Sequence, residues 1–130
     1  MKYLITGGAG FIGSALVRRL HADGHELLVV DNLSTGRQEN LPKEVELFDQ
    51  DVAEPKFADR LPKESFDAVL HLAAQTSSAG SDEDPGYDLR ANAGSTLQLA
   101  RFCAQRGIKR FLFAGSMASY GDARPLPVRM

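Results

Sequence analysis

The sequence has little of several features that mark particular classes of protein. Its single cysteine, Cys103, cannot form an internal disulfide, which is typical of a protein from the reducing cytoplasm. Fifteen Lys and Arg residues against seventeen Asp and Glu give a net charge of -2, so no basic excess indicates a nucleic-acid partner. The apolar run at residues 3–5 is far too short for a signal-peptide core or a membrane span. We therefore expect a cytoplasmic protein without a nucleic-acid or membrane partner.

The length of the chain bounds its organisation. With 130 residues, it has room for one domain around one hydrophobic core, which excludes separate cofactor and substrate domains of ordinary size. Hydrophobic residues make up 43% and charged residues 25% of the chain. These are ordinary globular values, and they exclude wholesale disorder.

Short apolar segments alternate with segments of helical period. Strands are predicted for residues 2–6, 27–31, 45–48, 66–74 and 111–114. Helices are predicted for residues 11–23 and 85–106. This alternation predicts an α/β fold, a Rossmann-type doubly wound parallel sheet in the strand order 3-2-1-4-5, filling residues 1–130. The crevice for a ligand then lies between strands one and four.

The two predicted helices differ in their apolar faces. In the first, Ile12, Leu16 and Leu20 recur at helical spacing with Phe11 beside them, and the other side of the helix is expected to face solvent. The second has two apolar stripes: Leu89, Ala93, Leu97, Ala100 and Ala104 on one, and Thr96, Leu99, Phe102 and Cys103 on the other. So wide an apolar surface indicates burial against the sheet and against a partner. We expect a homodimer through helix 85–106 or through the open edge of strand five.

A glycine-rich turn joins the first strand to the first helix. Gly7, Gly10 and Gly13 have the spacing of a dinucleotide fingerprint, in which backbone amides at the helix start face a pyrophosphate. Asp31 ends the next strand, where a carboxylate accepts hydrogen bonds from ribose hydroxyls and repels a 2′-phosphate. NAD is therefore favoured over NADP, although Arg37 stands nearby. A nucleoside-triphosphate loop is excluded, since no Gly-Lys-Ser/Thr follows the glycines.

Six segments, in order along the chain, carry a family resemblance. They are the turn from Thr6 to Ser14, Asp31-Asn32-Leu33-Ser34-Thr35-Gly36, Asp51-Val52, His71-Leu72-Ala73-Ala74-Gln75, Asn92, and residues 111–121 with Ser116 and Tyr120. With these motifs the sequence resembles the extended short-chain dehydrogenase/reductases. Among these dehydrogenase/reductases, it is similar to the NAD-dependent nucleotide-sugar epimerase/dehydratase family, of the UDP-glucose 4-epimerase type.

The resemblance implies roles for individual residues. Those implied to contact NAD are Gly7, Gly10, Phe11, Ile12, Gly13, Asp31, Asn32, Leu33, Ser34, Thr35, Gly36, Asp51, Val52, Leu72, Ala73, Ala74, Gln75, Asn92 and Ser116. Ser116 is also implied to be catalytic, because the family uses a Ser or Thr to polarise the sugar oxygen. In members of that family, a Tyr-x-x-x-Lys pair roughly two dozen residues beyond this serine removes the proton from a sugar hydroxyl while hydride passes to the nicotinamide.

The chain departs from that pattern at its end. It stops at Met130, so the Tyr-x-x-x-Lys pair and most of the sugar-binding half are absent. Tyr120 and Arg124 have the spacing of the pair, but Gly121 and Pro125 oppose a helix there, and arginine does not replace lysine as a proton relay. We expect a truncated Rossmann domain that binds NAD and does not turn over substrate alone. A nucleotide-sugar is a partner only in the full-length context.

Other interpretations remain open or have a simpler explanation. A non-catalytic NAD-binding or sensor module would need no sugar half, and a reductase or dehydratase could use the same scaffold. His21, Asp23 and His25 are close in sequence but are expected in a solvated turn, so no metal is predicted. His71 is expected as a hydrogen-bonded core histidine.

Overall fold

The computed structural model describes residues 1–121. Its strands are β1 (Lys2–Thr6), β2 (Glu26–Asp31), β3 (Glu46–Asp49), β4 (Ala68–His71) and β5 (Phe111–Phe113). Its α-helices are α1 (Phe11–Ala22), α2 (Ser78–Glu83), α3 (Pro85–Leu89) and α4 (Ser95–Arg106), with a π-helical segment at Arg90–Gly94 between α3 and α4. Short 3₁₀ turns lie at Gln38–Asn40, Phe57–Arg60 and Met117–Tyr120.

The five strands form one parallel sheet in the order β3-β2-β1-β4-β5, which confirms the predicted fold. Thr6, at the end of β1, is in register with Val30 on one side and with His71 on the other. These carboxyl ends therefore meet at one edge, where open parallel sheets bind ligands. The strand predicted for 66–74 is shorter than expected, because the chain leaves the sheet after His71 and turns towards Gly7.

A hydrophobic core covers each face of the sheet. One cluster joins strand residues such as Leu4 and Val69 to Phe57, Leu99 and Phe102. The second cluster joins the opposite faces of β1 and β2 to α1 and the chain after β2; it includes Ile5, Val17, Val29 and Leu41. Cover on both faces is what the continuously apolar strands predicted. Cys103 packs in the first cluster, and burial raises the pKa of its thiol, so it is a packing residue.

The orientation of α1 leaves its first two apolar residues outside the core. Phe11 is 95% exposed and Ile12 is 70% exposed, so these two apolar residues do not pack on the sheet. The buried residues of the helix are Gly13, Ser14 and Val17. The absence of a side chain at Gly13 lets the helix lie against the preceding turn, and this close approach rotates Phe11 and Ile12 outwards, to the mouth of a cleft.

The helical region 85–106 is interrupted rather than uniform. Leu99, Phe102 and Cys103 are buried as expected, whereas Leu89 and Leu97 are 65% and 62% exposed. Burial of the stripe that contains Leu89 and Leu97 against a partner chain stays a prediction, as does pairing through the β5 edge. Helix α2 was not predicted, since its six residues are mostly polar and small; the Ser77 hydroxyl caps its first turn by accepting from the Gly80 amide.

Candidate functional site

A cleft of about 340 Å³ opens at the carboxyl edge of the sheet. Fourteen of the predicted cofactor residues line it: Gly7, Gly10, Phe11, Ile12, Gly13, Asp31, Asn32, Ser34, Thr35, Asp51, Val52, Leu72, Ala73 and Ala74. Five that were also predicted are absent from the lining of the cleft within residues 1–121: Leu33, Gly36, Gln75, Asn92 and Ser116. Lining residues that the sequence analysis missed are Gln50, Thr76, Tyr87, Ala91 and Ala114.

The floor of the cleft is the glycine turn. Gly7 has a φ of +71°, its amide donates to the Val30 carbonyl at 2.8 Å, and a Cβ there would lie 2.6 Å from the Ala73 nitrogen. A Cβ on Gly13 would lie 2.0 Å from the Gly7 carbonyl oxygen. Only glycines therefore allow β1, the segment after β4 and the start of α1 to come this close.

The first turn of α1 presents its amides to the cleft. Within the described residues, no side chain caps this helix, so its first N–H groups are available to a ligand. Those N–H groups and the helix dipole make the end of α1 favourable for an anion. The apolar side chains of Phe11 and Ile12 lie beside these amides and line the same cleft.

The Asp31 carboxylate joins the glycine turn to the loop after β2. Its Oδ2 accepts from the Ala9 amide and its Oδ1 from the Leu33 amide, each at 2.9 Å, and the residue is 8% exposed. Gly36 packs on the same turn, because a Cβ there would lie 2.9 Å from the carbonyl carbon of Ala9. Leu33 and Gly36 thus shape the loop from outside the cleft, while Asp31 lines the cleft and has lone pairs beyond those used by these two amides.

A buried hydrogen-bonded chain lies beneath the glycine turn. His71 Nδ1 is 2.6 Å from Thr6 Oγ1, and His71 Nε2 is 3.0 Å from Ser95 Oγ. Ser95 donates its proton to the Ala91 carbonyl, so it accepts from His71 Nε2–H. Nδ1 is then the acceptor, and Thr6 is its donor. Burial lowers the pKa of His71 from 6.5 to about 4, which keeps the ring neutral in this arrangement and confirms the expected core histidine.

The neutral His71 makes stability depend on pH. A lowered pKa in the folded state means that the unfolded chain binds the extra proton, so the contribution is complete above about pH 6.5 and is lost as the pH falls towards 4. Between about pH 8 and about pH 5 we expect the free energy of unfolding to fall by about 2 kcal/mol more in the wild type than in His71→Gln. Urea unfolding at both pH values measures this difference, and equal pH slopes for the two proteins would contradict it.

Asn92 fixes the segment that follows β4. Its side-chain oxygen accepts from the Gln75 amide at 2.9 Å, and its Nδ2 donates to the Gln75 carbonyl at 3.1 Å and to Asp88 Oδ1 at 3.0 Å. Asn92 lies in the π-helical segment, a type of turn found frequently at functional sites. Asn92 and Gln75 therefore support the cleft wall at Ala73 and Ala74 from behind.

Ser116 lies in the chain that follows β5. It is exposed, and its carbonyl accepts from the amide of Ser119 at 3.1 Å and from the hydroxyl of Ser119 at 2.7 Å. Ala114 lines the cleft, which brings this segment to its rim. Arg124 and Pro125, which belong to the rejected Tyr-x-x-x-Lys alternative, lie outside the described residues.

The side chains of His21, Asp23 and His25, for which no metal was predicted, make ordinary polar contacts. His21 lies 3.7 Å from a glutamate oxygen, Asp23 pairs with Arg19 at 2.9 Å, and His25 lies 3.4 Å from the N-terminal amine. Across residues 1–121, no three His, Cys, Asp or Glu side chains converge on a point that could hold a metal ion. In that same part of the chain, no helix has both the length and the apolarity to cross a membrane.

Comparison with known proteins identifies the family. A family model described as "NAD dependent epimerase/dehydratase family" matches residues 3–129. The chain belongs to the NAD-dependent epimerase/dehydratase family. The match runs through the glycine turn, the Asp31 loop and the segment after β4, so the elements that build the cleft are family elements.

Individual members of the epimerase/dehydratase family are similar along nearly the whole chain. UDP-glucose 4-epimerase of Streptomyces lividans is 36% identical over 132 residues, which cover 98% of this chain and 39% of that protein. UDP-glucose 4-epimerase of Thermus thermophilus, crystallised in complex with NAD, is 43% identical with a TM-score of 0.80 and covers 89% of this chain and 38% of that one. The Thermotoga maritima enzyme with UDP-glucose is 36% identical with a TM-score of 0.87, covering 97% and 41%. The chain thus spans about two-fifths of the length of these relatives.

Proposed function

We propose that this chain is the NAD-binding portion of a nucleotide-sugar epimerase/dehydratase and that it binds NAD in the cleft between β1 and β4. The observation that carries this proposal is the close backbone packing at Gly7 and Gly13, where a Cβ would lie 2.6 Å from the Ala73 nitrogen and 2.0 Å from the Gly7 oxygen. This packing leaves uncapped helix amides beside the Asp31 carboxylate. An anionic dinucleotide has the charge and the length to occupy both.

Each part of the cleft suits one part of NAD. The amides at the start of α1 would hold the pyrophosphate, and the Asp31 carboxylate would accept from the adenosine ribose hydroxyls. Asp51 and Val52 follow β3, whose Asp49 is in register with Asp31, and they line the same cleft; they would bracket the adenine. The carboxylate of Asp31 would repel the 2′-phosphate of NADP, which makes NAD the preferred cofactor. The lone, buried Cys103 supports a reducing, cytoplasmic setting.

The chemistry in the full-length context follows from the family resemblance. NAD would supply a hydride acceptor and donor at the sugar C4. Ser116, close to the rim of the cleft, would hydrogen-bond to the sugar oxygen. This sequence contains no Tyr-x-x-x-Lys, so we expect it to bind NAD without removing a proton from a sugar hydroxyl.

Calorimetric titration of the purified chain tests the proposal. We expect NAD to bind in about the micromolar range and NADP to bind more weakly. A UDP-glucose assay with bound NAD is expected to show no turnover, while turnover would place the catalytic base within this chain. Absence of NAD binding at about millimolar concentration, where the binding free energy is only about 4 kcal/mol, would overturn the assignment of the cleft.

A further inference from the structure

One carboxylate in the cleft is held from two sides. Asp51 follows β3, and its Oδ1 accepts from the Ala53 amide at 2.7 Å. Its Oδ2 accepts from the Tyr87 hydroxyl at 3.1 Å. The two residues are separated by 36 positions, and both line the cleft. The hydrogen bond therefore joins the β3 side of the cleft to the helical side.

The backbone of Tyr87 is fixed by local structure. Asp84 caps α3 by accepting from the Tyr87 amide at 2.7 Å, and Pro85 occupies the first turn, an arrangement that stabilises a helix start. The Arg90 guanidinium carbon lies 6.0 Å from the ring centroid. Burial and the hydrogen bond to Asp51 raise the pKa of the Tyr87 phenol, so the phenol stays protonated and acts as the donor at neutral pH.

These two hydrogen bonds fix the orientation of the Asp51 carboxylate. Among residues 1–121, each of its oxygens has one protein donor, and each keeps a further lone pair. A carboxylate can pair with the exocyclic amino group of adenine, which is a donor, but not with the 6-oxo group of hypoxanthine, which is an acceptor. A carboxylate that is held in place discriminates between these two groups better than one that can rotate away. It cannot avoid the contact with a second acceptor, so binding of the 6-oxo purine bears the full free-energy penalty of that unsatisfied contact.

We propose that Tyr87 is a positioning residue that holds Asp51 towards the 6-amino group of the adenine and so gives the cleft its preference for 6-amino over 6-oxo purine dinucleotides. This inference rests on the proposed NAD site and adds a specificity determinant to it. Tyr87 acts through Asp51, and its ring closes the adenosine end of the cleft beside Val52 and Asn32.

Titrations of the whole chain with NAD and with its deamino analogue, in which hypoxanthine replaces adenine, test this role. In Tyr87→Phe, which keeps the ring and removes the hydroxyl, we expect NAD affinity to fall by about tenfold, the effect of losing about one hydrogen bond, while the affinity for the deamino analogue stays unchanged. The preference ratio therefore falls by the same factor. Tyr3→Phe is the matched control, since the Tyr3 hydroxyl contacts Met1 and not the cleft.

The outcomes separate the two proposals. If Tyr87→Phe changes both affinities equally, or neither, Tyr87 is only a packing residue and the positioning role is overturned, while NAD binding by the wild type still supports the proposed function. If the wild type binds neither dinucleotide, both proposals fail. Tyr87→Leu, which also removes the ring wall, is expected to weaken both ligands and to lower the ratio as Tyr87→Phe does; an unchanged ratio would also count against the role.

Discussion

Gly13→Ala is expected to abolish NAD binding and to lower the free energy of unfolding by about 3 kcal/mol or more, the upper range for an overpacked site. The new Cβ would lie 2.0 Å from the Gly7 carbonyl oxygen and 2.7 Å from the Gly8 Cα. Both neighbours are backbone atoms, so neither can rotate away. The start of α1 must then move from the turn, and the amides that face the cleft move with it. Calorimetry with NAD and urea unfolding measure the two effects.

Gly24→Ala is the control for this substitution. Gly24 ends the first helix region with a φ of +80°, and an added Cβ there meets nothing within 4 Å. Its cost is therefore only conformational, about 1 kcal/mol, and NAD binding is expected to persist. Were Gly13→Ala to bind NAD as tightly as Gly24→Ala does, the turn would be able to relax, and its close packing could not be what shapes the cleft.

Asp31→Asn is expected to weaken NAD binding by about 30-fold, because hydrogen bonds to a charged acceptor contribute about 2 kcal/mol. NADP binding is expected not to weaken, since the substitution removes the charge that opposes its 2′-phosphate. The preference for NAD therefore largely disappears. Stability also falls, by about 1–3 kcal/mol: an amide side chain has one acceptor oxygen, and it cannot accept from both Ala9 and Leu33 as the carboxylate does.

Asp49→Asn is the control that separates the contact made by Asp31 from the general effect of negative charge near the cleft. Asp49 is exposed and is in register with Asp31 on the neighbouring strand, so the substitution removes a nearby charge without touching the cleft. We expect it to leave the ratio of NAD to NADP affinity nearly unchanged. Titrations of Asp31→Asn and Asp49→Asn with NAD and with NADP measure this ratio. A comparable loss of preference in the two variants would show that general electrostatics, and not the Asp31 contact, selects the cofactor.

The sheet and the glycine turn were predictable because their signals are local and redundant. Each buried strand is apolar on both faces. The turn requires glycine at positions 7 and 13 for steric reasons, and the spacing of these glycines is visible in the sequence. The outward orientation of Phe11 and Ile12 was not predictable in this way. Helical periodicity marks a side chain as apolar, but it does not say whether the core or a ligand will cover it.

Contacts between residues that are distant in the sequence could not be predicted, for a different reason. Tyr87 lies near the start of the helix predicted for residues 85–106, and only the fold brings its hydroxyl to Asp51. The π-helical segment has no side-chain signature, since it differs from an α-helix only in which backbone groups pair. His71 was expected to be buried and hydrogen-bonded, yet its partners Thr6 and Ser95 depend on the packing of α4 against the sheet.

The π-helical segment also sets the phase between its two flanking helices. An i→i+5 turn takes in one residue more than an α-helical turn, and each residue of an α-helix advances about 100° around the axis. The widened turn at Arg90–Gly94 thus lets α3 direct Tyr87 to the cleft while α4 directs Leu99 to the core. A deletion of one residue there would turn one helix by about 100° relative to the other without altering either sequence. The residue count of this segment is therefore as much a determinant of the cleft as any side chain in it.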